Sequence, residues 1–122
     1  MNREEFEKLV EEALEDLPEE FAQKLENVEI VIEDEPTILQ RIKMKLPPHV
    51  TLFGLYEGIA KTKRGSGYTF VLPDKITIFQ KPIEAYFQTP HQIKQQVRKT
   101  VLHEIGHHFG LSEETLRKTK VG

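Results

Sequence analysis

The sequence predicts an α+β fold, a small mixed sheet of three or four strands packed on an N-terminal helix and a long C-terminal helix. Three observations carry that reading. Apolar residues recur at helical spacing through the first 17 positions, alternating apolar segments follow in the middle of the chain, and a segment bounded by Thr89 and Gly110 has both a helix start and a helix stop.

Each element has its own signal. Asn2 is a natural N-cap, with Glu5 three residues on to complete a capping box. Phe6, Leu9, Val10, Ala13, Leu14 and Leu17 then form one apolar stripe, and beyond Pro18 a second short helical stretch carries Phe21 and Leu25. Val28, Ile30 and Ile32 alternate with Glu29, Val31 and Glu33 as a half-exposed strand that stops at Asp34-Glu35-Pro36. In 36–50 the positions of Ile38, Leu39, Ile42 and Leu46 suit a helix closed by Pro47-Pro48, without requiring one. Thr51 to Glu57 is the next strand, where Gly54 points to a bulge or a close backbone approach. Gly65-Ser66-Gly67 is a turn, Tyr68 to Leu72 suits a short strand, and Lys75 to Phe79 alternates as a strand after the Pro73-Asp74 turn. The long helix begins at the Thr89 cap with Pro90 in its first position and Gln92 completing the box; Gly110 ends it. That leaves roughly 30 Å of helix, followed by a short final helix capped by Ser112.

Composition excludes several functions. The 122 residues suit a single domain, 1–122, able to bury roughly two thirds of its unfolded surface. Without cysteine there is no disulfide framework, cysteine nucleophile or thiolate metal site. Twenty acids against 17 bases give a net charge of −3, so no nucleic-acid partner is expected; the one basic cluster, Lys61 to Arg64, suits a solvated loop. The charged start MNREEFEKLVEE is unlike a signal peptide, and no apolar run approaches the ~18 residues of a membrane span, so a cytoplasmic location with no membrane partner is expected.

His103-Glu104-Ile105-Gly106-His107 falls within the long helix. At about 100° per residue, His103 and His107 project within about 40° of each other, one turn apart. Two imidazoles so placed can share one zinc ion, and Glu104 lies beside them as a candidate general base for water. Val97, Val101, Ile105 and Phe109 fall on the opposite arc, suited to packing on the sheet, while Gln96 and Thr100 follow the ligand stripe. Catalytic zinc usually holds three protein ligands and a water. Beyond Gly110 the carboxylates are Glu113 and Glu114; Glu113 is the expected third ligand, with Glu114 or no protein ligand as alternatives. His108 is expected toward the core as a packed or supporting residue, and His49 and His91 are expected at the surface.

LFGLYEG (52–58), LPDKITIF (72–79) and VRKTVLHEIGHHFGLSEETLR (97–117) resemble the small bacterial zincin-like, or minimal zincin, metallopeptidases. The resemblance implies a compact zincin-like domain with one Zn2+ per chain at the active-site helix, and a carboxylate ligand at Glu113, where that family often has aspartate. The chain departs from the larger peptidases: Met1 and Met44 both precede the motif, so no downstream methionine turn is expected, and one cleft wall is expected to be missing. Tyr56, Tyr68, Tyr86 and Arg117 are candidate oxyanion donors. Hydrolysis of a peptide or protein substrate is the leading expectation. The alternatives are a zinc domain of little intrinsic activity that a protein partner completes, and an RNA-processing metalloprotein, whose H-G-x-L-H-L-x-G-Y-D-H pattern this chain departs from at Glu104 and Glu113.

Overall fold

The computed structural model describes residues 1–58 and 73–110. Helix α1 (Arg3–Glu15) starts where Asn2 Oδ1 accepts the Glu5 amide hydrogen at 2.8 Å. The return bond expected from the Glu5 side chain is not made, so the cap is one-sided. Its stripe faces inward: Phe6, Val10 and Ala13 are buried, as is Leu17 just beyond the helix. Pro18 occupies the N-cap of α2 (Glu19–Lys24), whose Phe21 is fully buried. The Val28 amide donates to the Leu25 carbonyl at 3.0 Å as the chain enters β1 (Val28–Glu33).

The 36–50 segment contains α3 (Ile38–Lys43), held by a full capping box between Thr37 and Gln40. Its apolar residues do not join the core: Ile38, Leu39 and Ile42 are 77, 78 and 68% exposed. The buried residue of this helix is Gln40, whose amide donates to Glu57 Oε1 at 3.1 Å. Strand β2 (Gly54–Glu57) is shorter than its 51–57 expectation, and β3 (Asp74–Phe79) matches its own. The sheet order is β1-β3-β2; β1 runs parallel to the central β3 and β2 antiparallel. This is the expected mixed sheet, with three strands among the described residues, while the strand expected at Tyr68 to Leu72 lies outside them.

Helix α4 (Gln80–Tyr86) follows β3 without a loop and has no counterpart in the sequence reading. Pro82 hides it, yet at the third helical position its missing N–H falls among amides that no helix satisfies internally. The Lys81 amide, another of these, donates to the Asp34 carbonyl at 3.0 Å. Helix α5 (Pro90–His108) has its full Thr89–Gln92 capping box and 19 residues; Phe109 is its C-cap, and Gly110 follows at φ 69°.

Opposed pairs Ile30–Ile76 and Ile32–Ile78 put four isoleucines on one sheet face, where Ile76 and Ile78 are fully buried. That face packs with Phe6 and Val10 of α1 and with Ile93, Val97, Val101 and Ile105 of α5. Each such buried side chain contributes about 1.5–3 kcal/mol relative to exposure. Gly54 fixes how closely α5 lies on the sheet: a Cβ there would fall 2.5 Å from Thr100 Cγ2 and 3.2 Å from the Thr77 carbonyl. The expected close backbone approach is thus met, and its partner is a β-branched side chain whose χ1 is restricted.

Gly54→Ala should therefore destabilise the fold by about 1–3 kcal/mol in urea unfolding. Adding Thr100→Ser removes the opposing methyl and keeps the hydroxyl that accepts from Gln96 Nε2 at 3.0 Å. The double variant should recover most of the loss; strictly additive losses would mean that the strain lies elsewhere.

Candidate metal centre

Helical spacing and strand alternation build this region together. Thr100, Glu104 and His108, four residues apart, form the α5 stripe that meets β2: Thr100 against Gly54, Glu104 against the Tyr56 amide, His108 against the Tyr56 ring. His103 and His107 lie on the neighbouring flank, with ring centroids 5.7 Å apart and planes at 40°. Imidazoles sharing one tetrahedral zinc at 2.0–2.1 Å have centroids about 5.2 Å apart, so a small side-chain rotation would bring this pair onto a shared ion. His103 is half-buried and His107 exposed. Among the described residues no third histidine or carboxylate joins them. Glu113, Glu114 and Arg117 lie outside those residues, as do Tyr68 and the final helix expected after Ser112.

Glu104 Oε1 accepts the Tyr56 amide hydrogen at 2.8 Å. Opposite β3, the Phe79 amide donates to the Phe53 carbonyl at 2.9 Å, so odd positions of this segment face β3 and Tyr56 N–H points off the sheet edge. A donor that an edge strand leaves open is thereby used to hold a carboxylate. Glu104 Oε2 has no donor among the described residues and remains available to water.

The Tyr56 side chain leads to a second set of contacts. Its hydroxyl donates to Asp74 Oδ2 at 2.7 Å, and its ring stacks on His108 at 3.9 Å and 15°. His108 Nε2 stands 3.7 Å from the same Asp74 oxygen. Burial, then the Asp74 hydrogen bond, then the Asp74 charge push the Tyr56 hydroxyl up to about 12, because each disfavours a phenolate.

Several expectations change here. His108 is not turned to the core; it is exposed and rests on Tyr56. Thr100 does not follow an open ligand stripe but is buried under β2. Phe109 is 43% exposed, with Lys24 Nζ 4.9 Å above its ring, because Phe109 is already the C-cap and leaves the helical arc. His49 and His91 are exposed, as expected. Of the tyrosines named as oxyanion donors, Tyr56 is engaged by Asp74, and Tyr86 is exposed beside Phe53. The Tyr56–Asp74–His108 contact has no counterpart in the sequence reading: its one local signal is that His108 is one turn from Glu104, and only the observed register places Tyr56 and Asp74 on one face.

The family of zincin-like metallopeptidases matches residues 25–122. No curated protein matches the chain. Among solved structures, a conserved hypothetical protein from Thermo thermophilus is similar, with 24% identity and a TM-score of 0.57 over 96% of this chain and 98% of that one. That likeness concerns the fold.

Because the folded state holds the Tyr56 proton more tightly than the usual value of 10, Tyr56 stabilises the fold fully below that pH. The contribution is lost as pH rises from about 10 to about 12. Ultraviolet titration of the folded protein should show one late-ionising tyrosine that disappears in Tyr56→Phe. Its persistence in that variant would assign it to another of the three tyrosines.

Proposed function

This chain belongs to the zincin-like metallopeptidase family, and we propose that it hydrolyses peptide bonds with one zinc ion held by His103 and His107 and with Glu104 as general base. The observation that carries this reading is the position of Glu104: its carboxylate is tied to the β2 edge at 2.8 Å, one residue from the first of two imidazoles spaced to share a metal. Pure metal storage needs neither that carboxylate nor its backbone tether. Glu113 is the third ligand in this proposal.

Bound zinc would supply an acidified water and a polarised scissile carbonyl. Glu104 then takes the proton of the attacking water on its free oxygen and returns it to the leaving amine. The Tyr56 amide keeps the carboxylate from swinging away, and the Tyr56–His108 stack walls that side of the centre. The substrate is a peptide or protein segment. Family membership favours peptide hydrolysis over the RNA-processing alternative. A partner that completes the cleft remains compatible with the same chemistry.

Elemental analysis should give about one zinc per chain, abolished by His103→Ala or His107→Ala and falling under mildly acid conditions, since only neutral imidazole coordinates. Glu104→Gln should keep zinc and fold and lose peptide cleavage, because an amide cannot accept the proton. Full zinc retention by both histidine variants would end the proposal; equal cleavage by wild type and Glu104→Gln would remove Glu104 from it.

Glu113→Ala should weaken zinc about tenfold or more in chelator competition, and Glu114→Ala should change it little, since an acid in a helix's first turn more often serves the dipole. Unchanged affinity in both variants would remove the carboxylate ligand.

A further inference from the structure

The sheet edge away from the metal centre is β1. The Ile32 carbonyl accepts from Arg3 Nη1 at 2.9 Å and therefore points away from β3. Strand alternation then turns the N–H and C=O of Ile30, the N–H of Ile32 and the C=O of Val28 outward as well. The Val28 N–H is already bonded to Leu25. No further strand among the described residues pairs with this edge. Beside it runs a groove of about 400 Å³ between α1 and β1, floored by Val10, Leu14, Ile30 and Ile32 and rimmed by Glu7 and Glu11. On the other face of the strand Glu29 and Glu33 stand two turns of the pleat apart. None of these four glutamates has an ion-pair partner among the described residues.

We propose that β1 is a docking edge for an extended basic segment of another protein, added as a further strand in which apolar residues alternate with lysine or arginine. The outward groups of Ile30 and its neighbours supply backbone bonds. The period of two sends the apolar side chains into the α1–β1 groove and the cations toward Glu29 and Glu33, while Glu7 and Glu11 extend the negative field along the groove wall. A second copy of this chain is disfavoured, since pairing β1 with β1 sets glutamates against glutamates. The proposed metal centre lies on the opposite side of the sheet, where the Tyr56 amide holds Glu104, so the two sites are separate.

The probe is a short capped peptide alternating lysine and valine, titrated into isotope-labelled protein and followed by amide resonances. Ile30 and Ile32 should shift together with residues of the α1 groove face. Binding should weaken with salt and be absent for the glutamate–valine counterpart. Methylating the peptide nitrogens that face β1 should weaken it about tenfold, because charge is kept while strand pairing is blocked. The double variant Glu29→Lys/Glu33→Lys, on exposed or half-exposed positions, should lose about as much with its own spectrum otherwise native. Equal binding by the methylated peptide would reduce the contact to general charge attraction and overturn the proposal. So would shifts that miss β1, or concentration-dependent broadening of β1 without peptide, which would give the edge to a second copy.

Discussion

The close seating of α5 on β2 is the constraint on which the centre depends. Glu104 reaches the Tyr56 amide at 2.8 Å because Gly54, two residues earlier in the strand, has no side chain to meet Thr100, one turn earlier in the helix. A methyl at Gly54 would push the helix off the strand just where the carboxylate is anchored. The pairing is therefore a two-point register between helix and edge strand, one point steric and one a charge-assisted hydrogen bond, the stronger kind. His108 on the Tyr56 ring adds a third point one turn further on.

The two sheet edges are treated differently. On the β2 side the outward amide of Tyr56 has a carboxylate partner, so that position of the edge is closed. On the β1 side Arg3 Nη1 closes only the Ile32 carbonyl, while its Nη2 and Nε donate to Asp34 and Gln80. The core between these edges belongs to the central strand, whose Ile76, Ile78 and Phe79 are fully buried and whose continuation α4 buries Ile83. The candidate metal centre and the outer side of β1 thus lie on opposite flanks of one sheet. No helix among the described residues is long and apolar enough to cross a membrane.

Much of this could be read from the sequence, for identifiable reasons. The α5 boundaries follow from Thr89, Pro90, Gln92 and Gly110, whose preferences are local. The proximity of His103 and His107 follows from helical pitch alone, since the four-residue spacing needs no tertiary context. The α1 stripe and the alternating segments of β1 and β3 are legible for the same reason, because periodicity is a local property. Gly54 points to a close approach from its strand context, but its partner Thr100 lies 46 positions away and has no local signal.

Tertiary packing decided the rest. Strand order, with β3 central and parallel to β1, depends on pairing energies between segments more than 40 positions apart. The α4 helix, with no side-chain cap and Pro82 in its first turn, is stabilised by burying Pro82 and Ile83 rather than by local signals. The same absence of burial leaves the apolar residues of α3 in solvent despite its complete capping box. Periodicity could place His108 and Thr100 on an angle, but only the docking of β2 could turn one toward Tyr56 and bury the other. The sequence by itself determined a capped helix presenting two imidazoles and a carboxylate. The fold alone decided which backbone amide holds that carboxylate, because a hydrogen bond between residues 56 and 104 exists only once the helix has found its strand.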